Sequence, residues 1–249
     1  MILIYGSTRD DVSYFETRIQ NKKEETILGK YKFMEGTMSS QKVGVAYGGY
    51  TNYLSTAIIS TILAKNVDIV LVINVGKCSA YGEELKTGDI VISKQAYLAE
   101  VNQVGIKDAI LGQVPTCPQI FTTDAYVLEL LNNCVNKIIK KNNSKIGTFM
   151  SMEKILHKRE DFDHIAASNG VILGNKEDVV FDSCTGGVAL ASYLHNIPYI
   201  SIEVVENRID EAPSISSYVK VIEHYLDIGK AVASFIGEIS RNDVIIGNE

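Results

Sequence analysis

The strongest constraint on the fold is a repeated alternation of short apolar segments with segments of helical periodicity. Asp68–Asn74 is apolar on both faces, which is typical of a central strand in a parallel sheet covered by helices. Similar strands are predicted at Ile2–Tyr5 and Pro198–Val205, whereas Thr51–Lys65 and Ser214–Ser240 have the length and period of helices. The pattern predicts a three-layer α/β/α fold around a central mixed, mostly parallel sheet.

The chain has the size and composition of a single folded unit. Its 249 residues suit one large α/β domain, and 46% of them are apolar. Neither an internal repeat nor a linker interrupts the pattern, so we expect one domain over residues 1–241 and a frayed tail over 242–249. Further strands are expected over residues 26–37 and 42–47, with a helix from about Asp10 to Ile19.

Charge, hydropathy and cysteine content limit the partners, the cofactors and the location that we expect for the protein. The net charge is −6 and there is no basic stripe, so nucleic acid is not an expected partner. No apolar run approaches the ~20 residues of a membrane span. The four cysteines form no Cys-x-x-Cys pair and no histidine has metal-ligand spacing, so no metal or other cofactor is expected. Free thiols favour a reducing, cytoplasmic location.

Several segments resemble the nucleoside phosphorylase/nucleosidase superfamily, and within it most closely the methylthioadenosine/S-adenosylhomocysteine nucleosidases. Leu85–Ser93 (Leu-Lys-Thr-Gly-Asp-Ile-Val-Ile-Ser) matches the most recognisable stretch of that family nearly residue by residue. Gly6–Val12 resembles its glycine-then-acidic opening, Ile73–Gly76 resembles a strand end, and Asn196–Pro198 resembles the turn before its last core strand. The resemblance implies a nucleoside-like ligand and a homodimer.

The resemblance also implies how a purine nucleoside would be hydrolysed. In the family, a glutamate near the N-terminus activates the attacking water, and Asp11 stands at that position. Aspartate is still a base, but it reaches about one methylene less. The alternative is that Asp10 and Asp11 only favour the start of a helix through its dipole.

A second family motif, Glu-Met-Glu, binds the ribose hydroxyls. The matching run here is Asp182-Ser183-Cys184, so the last glutamate is replaced by a thiol, which is a weak hydrogen-bond partner. Cys184 is interpreted either as a small core cysteine or as a functional thiol. A helix N-terminus at this point would lower the pKa of the thiol and make it more reactive.

The third family motif, Ser-Asp, protonates N7 of the leaving base. Glu206-Asn207 occupies this position, and an amide can donate a hydrogen bond but has no proton to transfer. Asn207 indicates either a weakened site or a different base, such as a 6-oxopurine. Glu203 stands where the family has arginine, and its charge would repel phosphate. Phosphorolysis is therefore not expected.

Two further changes alter the predicted ligand contacts. Lys77 opens the run 77–80, which replaces a small-residue loop of the family. We favour an ion pair of Lys77 with the acids Asp182, Glu203 and Glu206, the alternative being an amine nucleophile. Ile155 and Leu156 replace a Phe-Ile pair that packs on the base, and this change weakens purine stacking.

Together these residues predict a divergent purine-nucleoside N-ribohydrolase with altered substrate or strongly reduced activity. The cleft would be acidic and would suit a neutral or cationic ligand. Two alternatives remain open. One is a non-catalytic protein that binds a nucleoside or a protein partner on the same fold, and the other is an enzyme with new chemistry at Lys77 and Cys184.

Overall fold

The structure is a computed structural model that describes residues 1–139, 143–154, 158–169, 178–211 and 214–241, without the side chains of 216–218, 220 and 241. The strands are β1 (Ile2–Gly6), β2 (Gln20–Ile27), β3 (Tyr31–Met38), β4 (Gln41–Tyr47), β5 (Leu71–Ala80), β6 (Ile90–Leu98), β7 (Ile120–Thr122), β8 (Ser144–Ser151), β9 (Val179–Asp182) and β10 (Tyr199–Arg208). The helices are α1 (Arg9–Glu16), α2 (Asn52–Lys65), α3 (Ala125–Ile138), α4 (Arg159–Ser168), α5 (Thr185–Leu194) and α6 (Ile215–Arg241).

All these strands belong to one mixed sheet that contains two parallel runs. The first run is β4–β1–β5–β10 and the second is β6–β8–β9. The runs meet through antiparallel pairing of β10 with β6 and of β5 with β9, so five strands close a ring. Strands β3 and β2 continue the sheet from β4 as an antiparallel edge.

Helices cover both faces of this sheet, which confirms the predicted three-layer fold. On one face, α1, α3 and α6 bury side chains such as Phe15, Leu131 and Phe235 against the strands. On the other face, α2 and α5 do the same with Ile58 and Val188. Burying each large apolar side chain contributes roughly 1.5–3 kcal/mol, so these two layers provide most of the driving force for folding.

Two glycines allow helices to approach each other closely. A β-carbon at Gly187 of α5 would lie 2.3 Å from the carbonyl oxygen of Asn52, at the start of α2. A β-carbon at Gly229 of α6 would lie 2.2 Å from the ring of Tyr14, on α1. The second contact brings the middle of α6 against the helix that carries Asp11. Among the helices in the described part of the chain, none is long and apolar enough to cross a membrane.

Candidate active site

The residues predicted for the site follow the ends of neighbouring strands. In the parallel run, Gly6 at the end of β1 pairs with Val75, and Gly76 pairs with Glu203 of β10. Asp182 ends β9 and pairs with Ser151 at the end of β8. Ligands of open α/β sheets bind outside the carboxyl ends of the strands, so this edge is the expected location of a cleft.

Asp11 is buried, with only 2% of its surface exposed. It is the third residue of α1, and it forms a capping box with Thr8, whose backbone NH donates to Oδ2 at 2.7 Å. Ser7 Oγ also donates to Oδ2 (2.9 Å), and the hydroxyl of Tyr225 donates to Oδ1 (2.5 Å). Burial raises the pKa of Asp11, although these hydrogen bonds oppose the increase. The same carboxylate of Asp11 therefore caps the start of α1 and is the candidate general base.

Glu203 is equally buried, and its hydrogen-bond partners in the described part of the chain are neutral groups. Asn74 Nδ2 donates to Oε1 at 2.8 Å, and the hydroxyls of Thr185 and Ser201 lie 3.1 and 3.3 Å from the same oxygen. Within the described residues, Glu203 Oε2 and Asn74 Oδ1 have no hydrogen-bond partner. Burial raises the pKa of Glu203 well above its usual range, and the nearby carboxylates of Asp182 and Asp11 raise it further. These surroundings therefore favour the protonated form of the carboxyl group.

Asp182 is used as a helix cap. Its Oδ2 accepts the backbone NH groups of Cys184 (3.0 Å) and Thr185 (2.6 Å), and its Oδ1 accepts the hydroxyl of Ser151. Carboxylates are favoured at helix N-termini because they satisfy free NH groups and match the dipole. In the described residues the expected ion pair of Asp182 with Lys77 is wrong, because the Asp182 carboxylate accepts NH groups at the start of α5 instead.

Cys184 is buried immediately before α5, and Ser183 Oγ lies 3.9 Å from its sulfur. Its Sγ donates to the carbonyl oxygen of Gly49 at 3.4 Å. Burial, together with the carboxylates of Asp182 and Glu203, raises the pKa of the thiol well above its usual range. The expected lowering of this pKa by the helix N-terminus is wrong, because desolvation and negative charge outweigh the dipole. Cys184 is a neutral thiol.

Lys77 pairs with Glu206. The Nζ–Oε1 distance is 2.7 Å, and the side chains of Lys77 and Glu206 are 32% and 20% exposed. Lys77 lies within β5 and not in a loop, because β5 continues to Ala80 beside β10. The expected cluster of Lys77 with three acids is wrong in the described residues, since Glu203 is hydrogen-bonded to neutral groups on the buried side.

The side-chain amide of Asn207 is hydrogen-bonded to other groups of the protein. Nδ2 donates to the carbonyl oxygens of Arg208 (2.6 Å) and Glu211 (3.2 Å), and Oδ1 accepts the hydroxyl of Ser79 at 3.2 Å. The register of β10 against β5 shifts between Val205 and Asn207, so the strand is irregular at this point. Asn207 would have to leave these partners before its amide could donate to a base.

Sequence reasoning missed three residues that shape this region. Tyr225 reaches Asp11 from α6, Asn74 holds Glu203, and Thr185 contacts both Asn74 and Glu203. Asn74 did carry a signal in the sequence, because it is the polar residue at the end of the predicted apolar strand Asp68–Asn74. The predicted base-packing residues Ile155 and Leu156 lie outside the described residues. No group of three or more His, Cys, Asp or Glu in the described part of the chain is placed to hold a metal ion.

The chain is similar to enzymes that act on nucleosides. It is 25% identical over 225 residues to a 5′-methylthioadenosine/S-adenosylhomocysteine nucleosidase of Desulfotalea psychrophila, covering 88% of this chain and 89% of the relative. A nucleosidase of the same kind from Staphylococcus haemolyticus is 28% identical over 158 residues, which cover 63% of this chain and 66% of the relative.

Solved structures show the same fold. The nucleosidase of Neisseria meningitidis in complex with methylthio-immucillin-A has a TM-score of 0.83 at 19% identity, covering 95% of this chain and 98% of that one. The futalosine hydrolase of Helicobacter pylori has a TM-score of 0.80 at 18% identity, covering 95% of this chain and 97% of that one. The sequence profile of the phosphorylase superfamily matches residues 2–237. The chain therefore belongs to the phosphorylase superfamily, and its relatives include methylthioadenosine/S-adenosylhomocysteine nucleosidases.

Proposed function

We propose that the protein is a divergent purine-nucleoside N-ribohydrolase whose substrate differs from that of its nucleosidase relatives, or whose activity on their substrates is strongly reduced. The observation that carries this proposal is Asp11. Its buried carboxyl group has a raised pKa and stands where the family resemblance expects the water-activating acid. A general base works best when its pKa lies near the working pH, and burial moves Asp11 in that direction.

In the proposed reaction, water attacks the anomeric carbon of the ribose while Asp11 accepts a proton from that water. The bond between this carbon and the base nitrogen breaks, and its electron pair leaves with the base. Asn207 has no proton to give, so the proton for the departing base would come from solvent. This requirement favours substrates whose base leaves readily without a protein acid.

The charge of the site supports hydrolysis over phosphorolysis. Lys77, the cation of this region, is already paired with Glu206, and a carboxyl group at Glu203 replaces the arginine of the family pattern. A phosphate ion would meet the carboxylates of Asp11 and Asp182, and Glu203 would provide no positive charge to bind it. We therefore expect the ligand to be neutral or cationic.

The second candidate is a non-catalytic protein that binds a nucleoside or a protein partner. The observation in its favour is that three of the changed positions have protein partners of their own. Lys77 binds Glu206, Cys184 binds Gly49 and Asn207 binds two backbone carbonyls. Such contacts stabilise the site without a substrate. The remaining alternative, an enzyme with new chemistry at Lys77 and Cys184, loses support because Lys77 is paired with Glu206 and the Cys184 thiol is neutral and buried.

An assay of base release separates the first two candidates. The protein would be incubated with a panel of purine and pyrimidine nucleosides, with and without inorganic phosphate, and free base would be measured by mass spectrometry. We expect release of one base, independent of phosphate, and its loss in Asp11→Asn. No release from any nucleoside would overturn the hydrolase, and strict dependence on phosphate would overturn the hydrolytic mechanism.

A thermal-shift screen with the same panel tests the binding candidate. A ligand present at 100 times its dissociation constant adds ~2.7 kcal/mol to stability, which gives a measurable rise in melting temperature. A stabilising nucleoside that is not cleaved would favour the non-catalytic protein. If no nucleoside stabilises the protein or is cleaved, neither nucleoside function holds.

We also propose that the protein is a cytoplasmic homodimer. All four cysteines are free and buried, which suits a reducing compartment. Exposed apolar side chains, including Tyr50, Tyr53 and Leu194, occur near the start of α2 and at the end of α5. Such side chains suit a subunit interface. Native mass spectrometry would detect the dimer, and a monomer at micromolar concentration would contradict this part of the proposal.

A further inference from the structure

Tyr225 connects the last helix of the chain to the first. Its hydroxyl donates to Asp11 Oδ1 at 2.5 Å, although the two residues are 214 positions apart. One turn further along α6, Gly229 lies directly against the ring of Tyr14 on α1, where no β-carbon would fit. The tyrosine is therefore held on a close helix–helix contact, and its position relative to Asp11 is fixed by packing.

The hydrogen bonds of Asp11 leave little freedom for the carboxylate. Each carboxylate oxygen can accept about two hydrogen bonds in its plane. Oδ2 already accepts the hydroxyl of Ser7 and the backbone NH of Thr8, whereas Oδ1 accepts only Tyr225 in the described residues. One acceptor position of Asp11 is thus left, and it is on the oxygen that Tyr225 contacts.

The surroundings of Tyr225 keep its phenol protonated. Burial and the carboxylate of Asp11 raise the pKa of the phenol far above its usual range, and Glu203 and Glu206 raise it further. The phenol therefore remains protonated and acts as a donor. Its hydrogen bond favours the ionised form of Asp11 and lowers the pKa that burial raises.

We propose that Tyr225 is a positioning residue for Asp11, which fixes the plane of the carboxylate, favours its ionised form and leaves one acceptor position on Oδ1 for the ligand. This inference rests on the proposed function only for the identity of that ligand, the attacking water. Asp11 of α1 is then the base, and Tyr225 of α6 holds its carboxylate in place. Removing the Tyr225 hydroxyl should make Asp11 harder to ionise and less well placed.

The direct test is a titration of Asp11 in the full-length protein. Protein labelled with ¹³C at aspartate carboxyl groups would be titrated by NMR, with the Asp11 signal assigned from its loss in Asp11→Asn. The variants are Tyr225→Phe and, as a matched control, Tyr14→Phe, which removes a hydroxyl from the same helix pair but not from an Asp11 partner. Among the described residues, Glu203 on β10, Cys184 before α5 and Tyr5 on β1 also interact electrostatically with Asp11, and both variants retain them.

We expect the Asp11 midpoint to move to higher pH in Tyr225→Phe and to stay at the wild-type value in Tyr14→Phe. An unchanged midpoint in Tyr225→Phe, or an equal movement in both variants, would overturn the inference. With a substrate from the base-release assay, we also expect kcat to fall by up to about 100-fold in Tyr225→Phe and its acid limb to move to higher pH, with KM little changed. Wild-type kcat and an unmoved acid limb would overturn it too.

The two proposals fail in different ways. Absence of hydrolysis by the wild-type protein would contradict the proposed function, whereas the Asp11 titration would still support or overturn the role of Tyr225. If Tyr225→Phe does not fold, Asp11→Asn, which retains Tyr225, provides the second test. In protein labelled with ¹³C at the tyrosine ring carbon that carries the hydroxyl, loss of the charged acceptor should change the chemical shift of one tyrosine, and an unchanged spectrum would overturn the pairing of Tyr225 with Asp11.

Discussion

The acidic groups are stabilised differently in the buried and in the outer part of the site. In the buried group, Asp11 and Glu203 are surrounded by hydroxyl, amide and backbone donors, and their pKa values are raised. In the outer group, Glu206 is neutralised by Lys77 and Asn207 is bound to backbone carbonyls. Protonation is therefore linked to stability in the buried group, whereas the outer group depends on an ion pair that water screens.

The largest expected effect concerns the outer group and catalysis. We expect release of adenine from methylthioadenosine or S-adenosylhomocysteine at least ~100-fold slower than by an ordinary nucleosidase, because Asn207 cannot act as a general acid. A coupled assay of free adenine measures this rate, with a nucleosidase relative as the positive control. A rate within tenfold of that relative would mean that Asn207 is not limiting.

A double substitution toward the family pattern tests the same effect on adenine release more directly. Asn207→Asp together with Cys184→Glu restores two acids of the family pattern and should increase any residual adenine release. Asn207→Asp alone serves as the control for the outer position. If the double variant gains nothing, further changes such as Lys77 also block the reaction.

Substitution of Asp182 measures how much a carboxylate held by protein donors contributes to the free energy of unfolding. Asp182→Ala should lower the free energy of unfolding by about 2–3 kcal/mol, because it removes a helix cap and leaves NH groups of α5 without their acceptor. Urea denaturation measures the loss, and Asp182→Asn, which retains an acceptor oxygen, is the matched control. An equal and small loss in both variants would show that the cap contributes little.

The pH dependence of stability in Glu203→Gln tests the predicted protonation of Glu203 in the buried group. Because its folded pKa is raised above the ordinary value of 4.5, its contribution to stability is complete below that pH and is lost as pH rises toward the folded pKa. Glu203→Gln should lie within about 1 kcal/mol of wild type near pH 5, since an amide replaces a neutral acid of similar shape. Its relative stability should then increase with pH.

Parallel urea denaturation of wild type and Glu203→Gln between pH 5 and 9 measures this difference. Asp11 and other titrating groups are common to both proteins, so they cancel in the comparison. A difference that is independent of pH would contradict protonation of Glu203.

The smallest effect is expected for the ion pair of the outer group. Lys77→Met should change the free energy of unfolding by no more than about 1 kcal/mol, because both partners are partly exposed. A double-mutant cycle with Glu206→Gln isolates the pair, and 0.5 M salt should reduce the coupling. A loss of ~3–5 kcal/mol would instead indicate a buried network and would remove the distinction between the two groups.

The sequence predicted the strands best where burial imposes an apolar pattern. Strand β5 overlaps the predicted strand Asp68–Asn74, although it begins at Leu71 and continues to Ala80. Strand β2 (Gln20–Ile27) was missed because it is an edge strand whose residues are nearly all exposed and polar. The helix expected to end at Ile19 ends at Glu16, since the chain turns into that edge strand. Exposed edges give no period-2 signal to read.

For the site, the sequence indicated the residue types at the strand ends but not their partners. Asp11 meets Tyr225 from the far end of the chain, and Asp182 binds α5 and not Lys77. Such choices depend on which side of a strand each residue faces and on close helix contacts that local patterns do not encode. The raised pKa of Cys184 was missed for the same reason, because it depends on burial and on nearby acids.

The closed ring of strands has a consequence for synthesis on the ribosome. Strand β5 pairs with β10 inside that ring, and Asn74 and Ser201, which meet there, are 127 residues apart. At about 5–20 residues per second, β5 waits roughly 6–25 s for its neighbour to be made. During that interval one side of β5 lacks its backbone partners and can pair with other chains. Slow closure late in translation should therefore make the nascent chain depend on chaperones, even though the finished protein has a well-packed core.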